Sequence, residues 1–318
     1  MRHISDGIDA VYTWVNGADT EFQHELEHYR KKEAVPGDPF VAGARRFRDS
    51  DELRYSLRSL ETNAPWINRV FLVTNGQLPR WLKKDHPRLR LVTHREIFPQ
   101  STHLPSFNSA AIEVHLHRIP GLSRRFLYLN DDMFFGRPVT RKDFLPWFGP
   151  QKIWVERWEL PQSLTEGDLV SCWLGYNHHL LKAAFAHRTF PSLAHTPILF
   201  DRFILADLQA KWPEEFERTS AMRFRTARMV LVHVLYAHFL AARKGCRLAR
   251  ARAGDYQFVM FAPPLEKAIG KLANVKRLRP KFFCINDDWD RDAQTKDTIL
   301  PVFLENYFPV PSGFEQNP

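Results

Sequence analysis

The N-terminal apolar run that decides the fold reads IDAVYTWVNG and occupies residues 8–17. β-Branched and aromatic residues dominate it, and Asn-Gly, a turn signal, ends it. The same pattern returns as VFLVTNG at 70–76 and FLYLNDD at 126–132, and a further strand signal, LRLVT, lies at 89–93. Near-continuous apolar strands are covered on both faces, so these four segments predict a parallel sheet.

Helical patterns separate these strands. The segment 49–60 opens with Asp-Ser-Asp-Glu, in which Asp49 can cap a helix and Glu52 stands three residues further on. Leucines at helical spacing follow, and Arg54 and Arg58 share another stripe one turn apart. A second helical pattern covers 109–118. The alternation predicts an α/β, Rossmann-like fold with a mostly parallel sheet flanked by helices.

The second half of the chain is less regular. Residues 199–212 and 228–243 have helical patterns, and 281–285 form a short apolar strand. No linker rich in Ser, Gly or Pro divides the chain. We therefore predict a single domain over 1–318, with these parts: a Rossmann-like first half at 1–150, a helical insertion at 191–252 and a closing segment at 253–318.

Composition limits the classes of function. Of 318 residues, 44% are hydrophobic and 25% charged, which excludes a disordered chain. The net charge of +9 favours an acidic partner such as a nucleotide, a phosphorylated glycan, nucleic acid or an anionic membrane. Three scattered cysteines do not make a disulfide framework. Without a signal-like apolar segment or a run of roughly 20 apolar residues, we expect a cytoplasmic protein with no transmembrane segment.

Two acidic turns are the strongest chemical signal. Asn-Asp-Asp follows a strand both at 130–132 and at 286–288. Carboxylate and amide oxygens suit hard cations such as Mg²⁺ or Ca²⁺. One copy is explained as well by turn chemistry, but two copies favour a cation, because like carboxylates placed together require one. His195 and Arg225 do not rise above background on spacing alone, and common nucleotide-binding and hydrolase motifs are missing from the sequence.

Four blocks of the sequence, in chain order, resemble the Stealth family. They are the 8–17 run, the segment from Phe47-Arg48-Asp49 to residue 132, AHTP at 194–197 with WPEEF at 212–216, and CINDD at 284–288 with the closing segment. That family includes bacterial capsular polysaccharide phosphotransferases and the catalytic subunit of an animal N-acetylglucosamine-1-phosphotransferase. The resemblance implies a Rossmann-like catalytic domain, a nucleotide-sugar donor and transfer of sugar-1-phosphate to a sugar hydroxyl.

Carried over to this chain, the resemblance implies catalytic roles for His195, Arg225, Asp131 and Asp132. The candidate donor-binding residues lie at the strand ends and on the first predicted helix: Trp14, Asn16, Gly17, Arg54, Asn75 and Asn130. The metal would be Mg²⁺ or Mn²⁺, with ligands drawn from Asp131, Asp132, Asn286, Asp287 and Asp288. His195 would act as a general base, and Arg225 would bind phosphate oxygens.

The predicted reaction transfers hexose- or N-acetylhexosamine-1-phosphate from a UDP-sugar such as UDP-GlcNAc to a glycan acceptor, with release of UMP, in capsule or exopolysaccharide synthesis. One alternative is a metal-dependent glycosyltransferase that releases UDP. A second is a glycan-binding module without catalysis that uses its many aromatic residues. Nucleic acid is not a predicted partner, since only net charge supports it. Peripheral association with the inner face of the cell membrane is compatible with the sequence.

Overall fold

The computed structural model describes residues 7–35, 47–164, 168–186, 188–287 and 293–316. Its strands are β1 Ile8–Thr13, β2 Val70–Thr74, β3 Leu89–Thr93, β4 Arg125–Asn130, β5 Met133–Phe135, β6 Gln151–Glu159, β7 Pro191–Leu193, β8 Ile198–Asp201, β9 Cys246–Arg250, β10 Tyr256–Phe261 and β11 Phe282–Asp287. Its α-helices are α1 Thr20–Lys32, α2 Glu52–Asn63, α3 His94–Ile97, α4 Ser109–Glu113, α5 Arg141–Phe144, α6 Leu169–Ala184, α7 Arg202–Lys211, α8 Pro213–Ala221, α9 Val232–Ala242, α10 Leu265–Leu278 and α11 Ala293–Tyr307.

The central sheet has the strand order β3-β2-β1-β4-β8. The first four strands pair in parallel, and β8 runs antiparallel to β4 at the edge. Residues of β1 and β2 are almost entirely inaccessible, as expected for strands covered on both faces. The leucines of α2 are buried as well and pack with residues of β1 and β2 in one core cluster. The predicted α/β, Rossmann-like fold is therefore confirmed.

The start of helix α2 differs from the sequence prediction. The helix begins at Glu52, and Asp49 does not cap it. The Asp49 carboxylate instead accepts hydrogen bonds from the Trp14 indole Nε1, at 3.0 Å, and from the Asp51 backbone, at 3.0 Å. Glu52 Oε2 accepts from the Ser50 backbone at 2.5 Å. The capping-box prediction is wrong because a long-range contact with the end of β1 takes up the Asp49 side chain.

Two smaller three-stranded sheets, β10-β11-β5 and β7-β6-β9, complete the strand pairing. Residues 199–212, predicted to be helical throughout, begin as strand β8 and become helix α7 only at Arg202. The predicted insertion at 191–252 contains helices α7, α8 and α9 and also three short strands. One of these strands, β8, closes the edge of the central sheet, so this segment is joined to the first half by backbone hydrogen bonds.

The C-terminal segment is fixed to helix α2 by a buried ion pair. Arg58 donates from Nε to Glu315 Oε1 at 2.8 Å and from Nη2 to Oε2 at 2.9 Å. Arg54 Nε donates to the same Glu315 carboxylate at 2.6 Å. The side chains of Arg58 and Glu315 are each only 3% exposed. We call this group, Arg54, Arg58 and Glu315, the α2 clamp.

The three cysteines, Cys172, Cys246 and Cys284, are free and buried. Among the residues that the structure describes, no helix is both long enough and apolar enough to cross a membrane.

Candidate active site

A cleft of about 210 Å³ opens at the carboxyl ends of β1, β2 and β4. Parallel strands deliver the side chains that follow them to one edge of the sheet, which is where ligands bind in such folds. Among the residues predicted from the sequence, the cleft is lined by Trp14, Asn75, Asn130, Asp131, Asp132, Arg225 and Asn286. The structure thus gathers Arg225 with residues from the first, second and fourth sequence blocks, and the segment around 194–197 does not line this cleft.

The start of the second acidic turn lies beside the first. Strand β11 runs antiparallel to β5, which directly follows the first turn. The Ile285 backbone N–H donates to the Asp132 carbonyl at 3.0 Å, and the Cys284 thiol donates to Asp132 Oδ2 at 3.3 Å. Asn286 therefore lies beside Asp131 and Asp132 in the cleft. The side chain of Asp287 and the whole of Asp288 are outside the described residues.

The carboxylates of this cleft repel one another. Burial raises the pKa of Asp131 well above its ordinary value, and the charges of Asp132, Glu52 and Asp49 raise it further. Burial, followed by the charges of Glu52 and Asp51, raises the pKa of Asp49 to about 7, against the hydrogen bond from Trp14. Neutralisation by a bound cation relieves such repulsion.

The chemistry of the donor atoms fits a hard divalent cation. Asp131, Asp132 and Asn286 present carboxylate and amide oxygens to the cleft, which are the ligands that Mg²⁺ and Mn²⁺ take. Among the described residues, however, no three His, Cys, Asp or Glu side chains form a group that could hold a metal ion by itself. The described residues therefore show suitable donor atoms and no complete metal site.

Arg225 brings positive charge into the cleft. It lies between α8 and α9, donates from Nη2 to the Ser109 hydroxyl at 3.0 Å, and places its guanidinium 5.4 Å from the centre of the Trp173 ring. These contacts hold the planar group in one orientation. A guanidinium fixed in this way can donate two parallel hydrogen bonds to a phosphate.

Three predicted donor-binding residues do not line the cleft. Asn16 forms a turn, with its Oδ1 accepting from the Ala18 backbone at 2.9 Å. Gly17 packs against Phe47, where an added Cβ would lie 2.2 Å from the Phe47 carbonyl oxygen, so only glycine fits. Arg54 belongs to the α2 clamp. Two of these residues shape the loop after β1, and the third stabilises the C-terminal segment.

His195 lines a second cleft of about 690 Å³ and does not line the first. Its ring lies 5.0 Å from that of Phe258, and the exposed indole of Trp158 lines the same cleft. The imidazole is exposed, yet the surrounding protein lowers its pKa, by desolvation first and by the charge of His233 second.

A polar chain that sequence reasoning missed extends from the first cleft toward His195. Tyr128 donates its hydroxyl to Asn130 Oδ1 at 2.8 Å, and after burial the charge of Glu113 is the largest influence raising the pKa of Tyr128. Glu113 Oε2 lies 3.3 Å from His233 Nδ1, and His233 acts electrostatically on His195. No spacing in the sequence pairs Glu113 with His233, and the only available signal is that Glu113 falls within the predicted 109–118 helix.

Fold and cleft together define a Rossmann-like α/β protein with an acidic, arginine-containing site at its strand ends. Four family models match the chain in order: Stealth protein CR1, conserved region 1, at residues 6–34; CR2 at 46–152; CR3 at 194–242; and CR4 at 273–318. The chain belongs to the Stealth family, as the sequence resemblance predicted.

Its relatives include the exopolysaccharide phosphotransferase SCO6023 of Streptomyces coelicolor, which is 40% identical over 97% of this chain and 52% of its own length. The exopolysaccharide phosphotransferase CpsY of Mycobacterium tuberculosis is 34% identical over 99% of this chain and 59% of its own length. The chain thus spans about half the length of these relatives. Among solved structures, the galactosyltransferase LgtC aligns with 96% of this chain and 98% of its own, at 12% identity and a TM-score of 0.44.

Proposed function

We propose that this protein transfers hexose- or N-acetylhexosamine-1-phosphate from a UDP-sugar to a sugar hydroxyl, releasing UMP, in capsular or exopolysaccharide synthesis. Membership of the Stealth family and the names of the relatives support this class of reaction. The observation that carries the proposal is that Arg225 and the Asp131–Asp132 turn, which are distant in sequence, line one cleft at the strand ends. Phosphoryl transfer depends mainly on positioning and on charge stabilisation, and both groups serve these ends.

The first cleft would bind the donor. Trp14, Asn75 and Asn130 would contact the nucleotide and sugar, and Arg225 would hold the oxygens of the transferred phosphate. Asp131 and Asp132 with Asn286, joined by Asp287 and Asp288, would hold Mg²⁺ or Mn²⁺. The ion would offset the charge of the diphosphate.

The second cleft would bind the acceptor glycan. The exposed indole of Trp158 and the ring of Phe258 offer faces for sugar rings. The neutral imidazole of His195 would take the proton of the acceptor hydroxyl, whose oxygen then bonds to the β-phosphorus of the donor. The bond from that phosphorus to the bridging oxygen breaks, and UMP leaves with this oxygen. The product is a sugar–phosphate–sugar diester.

The by-product of turnover tests the proposal. The protein is incubated with UDP-GlcNAc and other UDP-sugars, an oligosaccharide acceptor and Mg²⁺ or Mn²⁺, and the nucleotide released is identified. UMP supports sugar-phosphate transfer. Release of UDP would instead show a glycosyltransferase, and glycan binding without any turnover would show a binding module.

Arg225→Lys should lose most turnover, because an ammonium cannot donate two parallel hydrogen bonds to a phosphate. Arg228→Lys, at an exposed neighbour outside the cleft lining, should keep its turnover.

A histidine variant tests whether the first cleft binds the donor while the second cleft supplies the general base. His195→Ala should lower turnover by about 10²–10⁴-fold, the usual range for a lost general base, and should leave donor affinity intact. His179→Ala, which removes an exposed histidine on α6, serves as the matched control. Near-normal turnover of the His195 variant would assign this residue a structural role.

A further inference from the structure

The segment of residues 145–150, which we call the aromatic tip, exposes two large side chains side by side. Trp147 is 77% exposed and Phe148 is 93% exposed, the highest values among the exposed large hydrophobic side chains of the described residues. Pro146 and Pro150 flank them, and Gly149 has a positive φ of 105°. Adjacent exposed aromatics at a turn indicate an interaction surface, because isolated ones are ordinary but a paired patch is not.

A rigid base holds this tip away from the core. Phe144, immediately before the tip, is fully buried, with its ring 5.5 Å from those of Trp154 and Phe282. Asp143 accepts a hydrogen bond from Lys281 Nζ at 2.6 Å. The prolines at both ends further restrict the backbone. The anchored base therefore keeps Trp147 and Phe148 from folding back against the protein.

Positive charge predominates in the sequence on either side of the tip. Between residues 136 and 152 the sequence has four cationic side chains, Arg137, Arg141, Lys142 and Lys152, against one carboxylate, Asp143. That carboxylate is already bound by Lys281. Lys142 Nζ lies 4.5 Å from the centre of the Trp147 ring, so charge and aromatic surface occur together. Aromatic rings sit at the headgroup level of a bilayer, and neighbouring Lys and Arg attract anionic lipids.

We propose that the aromatic tip inserts Trp147 and Phe148 into the surface of an anionic phospholipid membrane. The shape of the patch favours this partner over a second protein chain. Two side chains at the apex of a turn fit a shallow insertion, whereas a stable protein interface buries about 1,200–2,000 Å² on broad surfaces. The cations at the base of the tip would meet the lipid headgroups as the rings enter. This membrane contact is independent of the transfer reaction, so either can fail without the other.

Vesicle flotation of the full chain tests the proposal. Vesicles of three parts phosphatidylcholine to one part phosphatidylglycerol should carry the protein upward, and vesicles of phosphatidylcholine alone should carry much less. Trp147→Ser with Phe148→Ser should weaken binding by about tenfold or more, since the apolar contact is lost. Arg141→Glu with Lys142→Glu should weaken it most at low salt. Phe203→Ser is the matched control, because Phe203 is also an exposed aromatic beside a cation, Arg124, and should leave binding unchanged.

Lipids brominated along their acyl chains should quench the tryptophan fluorescence of the wild type and should not quench that of Trp147→Phe. Melting temperatures confirm that all variants fold. No flotation of the wild type, equal flotation of the double serine variant, or an equal loss in Phe203→Ser would each overturn the proposal. A concentration-dependent dimer that the double serine variant abolishes, without any vesicle binding, would show that the tip contacts a second copy instead.

Discussion

Helix α2 contacts two charged regions, one in which carboxylates of like charge lie together and one in which a carboxylate is paired with arginines. At its first residue, Glu52 joins the carboxylates of the first cleft, where Asp131 is surrounded by charges of its own sign. Two and six residues further on, Arg54 and Arg58 donate hydrogen bonds to the Glu315 carboxylate. Burial alone would raise the pKa of Glu315, yet hydrogen bonds from Arg58, the Ser312 backbone and Arg54 lower it to about 2.

The difference separates a charge arrangement that stabilises the fold from one that costs stability. In the α2 clamp each buried charge has a partner of opposite sign, so removing the shared Glu315 carboxylate takes the bidentate partner away from buried Arg58. In the cleft the like charges disfavour the folded state until a ligand neutralises them, a pattern typical of functional sites. Variants in the α2 clamp should therefore lower the free energy of unfolding, whereas variants of the cleft carboxylates should lower turnover without lowering stability.

The largest effect on stability is expected for Glu315→Ala. It removes the bidentate partner of buried Arg58, which keeps only the half-exposed Glu305 carboxylate at 3.0 Å and the Phe308 carbonyl at 2.8 Å, so the free energy of unfolding should fall by about 3 kcal/mol, the lower end of the range for a broken buried pair. Because the pKa of Glu315 is lowered in the folded state from 4.5 to about 2, its contribution is present above pH 4.5 and is lost as pH falls through about 2. Denaturant unfolding at several pH values measures both the loss of unfolding free energy in the variant and the pH dependence of the wild type. Glu305→Ala, at a carboxylate 52% exposed, should lose far less. Equal losses would break the distinction between buried and exposed partners.

The next effect is on turnover. Asp131→Asn should reduce turnover by about 10²–10³-fold, because one of the carboxylates proposed to hold the divalent cation is lost. The same change removes one of several repelling carboxylates, so the melting temperature should stay equal or rise. Asp51→Asn, at an exposed carboxylate outside the cleft lining, is the matched control. A variant that loses both stability and turnover would place Asp131 among the structural charges, with Glu315.

How much of this the sequence could predict differs between the two regions. The acidic turns follow strands, and parallel strands end at one edge, so the meeting of Asn75, Asn130 and Asp131 could be predicted from local patterns. The shared stripe of Arg54 and Arg58 was predictable too. Which way that stripe faces was not, because it depends on Glu315, more than 250 residues away along the chain.

The position of His195 escaped prediction for a similar reason. It follows β7 of a small separate sheet, and no local pattern says which cleft that sheet adjoins. The link from Asn130 through Tyr128 and Glu113 to His233 also depends on packing between distant segments. Periodicity identifies which residues form a face, whereas tertiary packing decides what that face meets.

A smaller effect, of about 1 kcal/mol, concerns pH. The pKa of Asp49 is raised to about 7 in the folded state, so the stability this group contributes is lost as pH rises through about 7. The free energy of unfolding should fall by that amount between pH 6 and pH 8, and Asp49→Asn should abolish the fall. Denaturant titrations at pH 6, 7 and 8 give the comparison. A wild-type curve as flat as that of the variant would mean that Asp49 is not destabilised by its neighbours.

The smallest effect, at Arg54, decides between its two assignments. The resemblance implies a donor-binding role, whereas the structure pairs it with Glu315 at 2.6 Å, on a side chain that is 30% exposed. Because Arg58 keeps both of its own bonds to Glu315, Arg54→Ala should cost only about 0.5–1 kcal/mol. Affinity for a UDP-sugar, measured by calorimetry with Mg²⁺ present, should not change. Arg225→Lys, from the cleft itself, provides the contrast, since donor affinity should fall there. A fall in donor affinity of Arg54→Ala, with its free energy of unfolding unchanged, would contradict this assignment. Arg54 would then contact the donor, and the α2 clamp and the first cleft would not be separate regions.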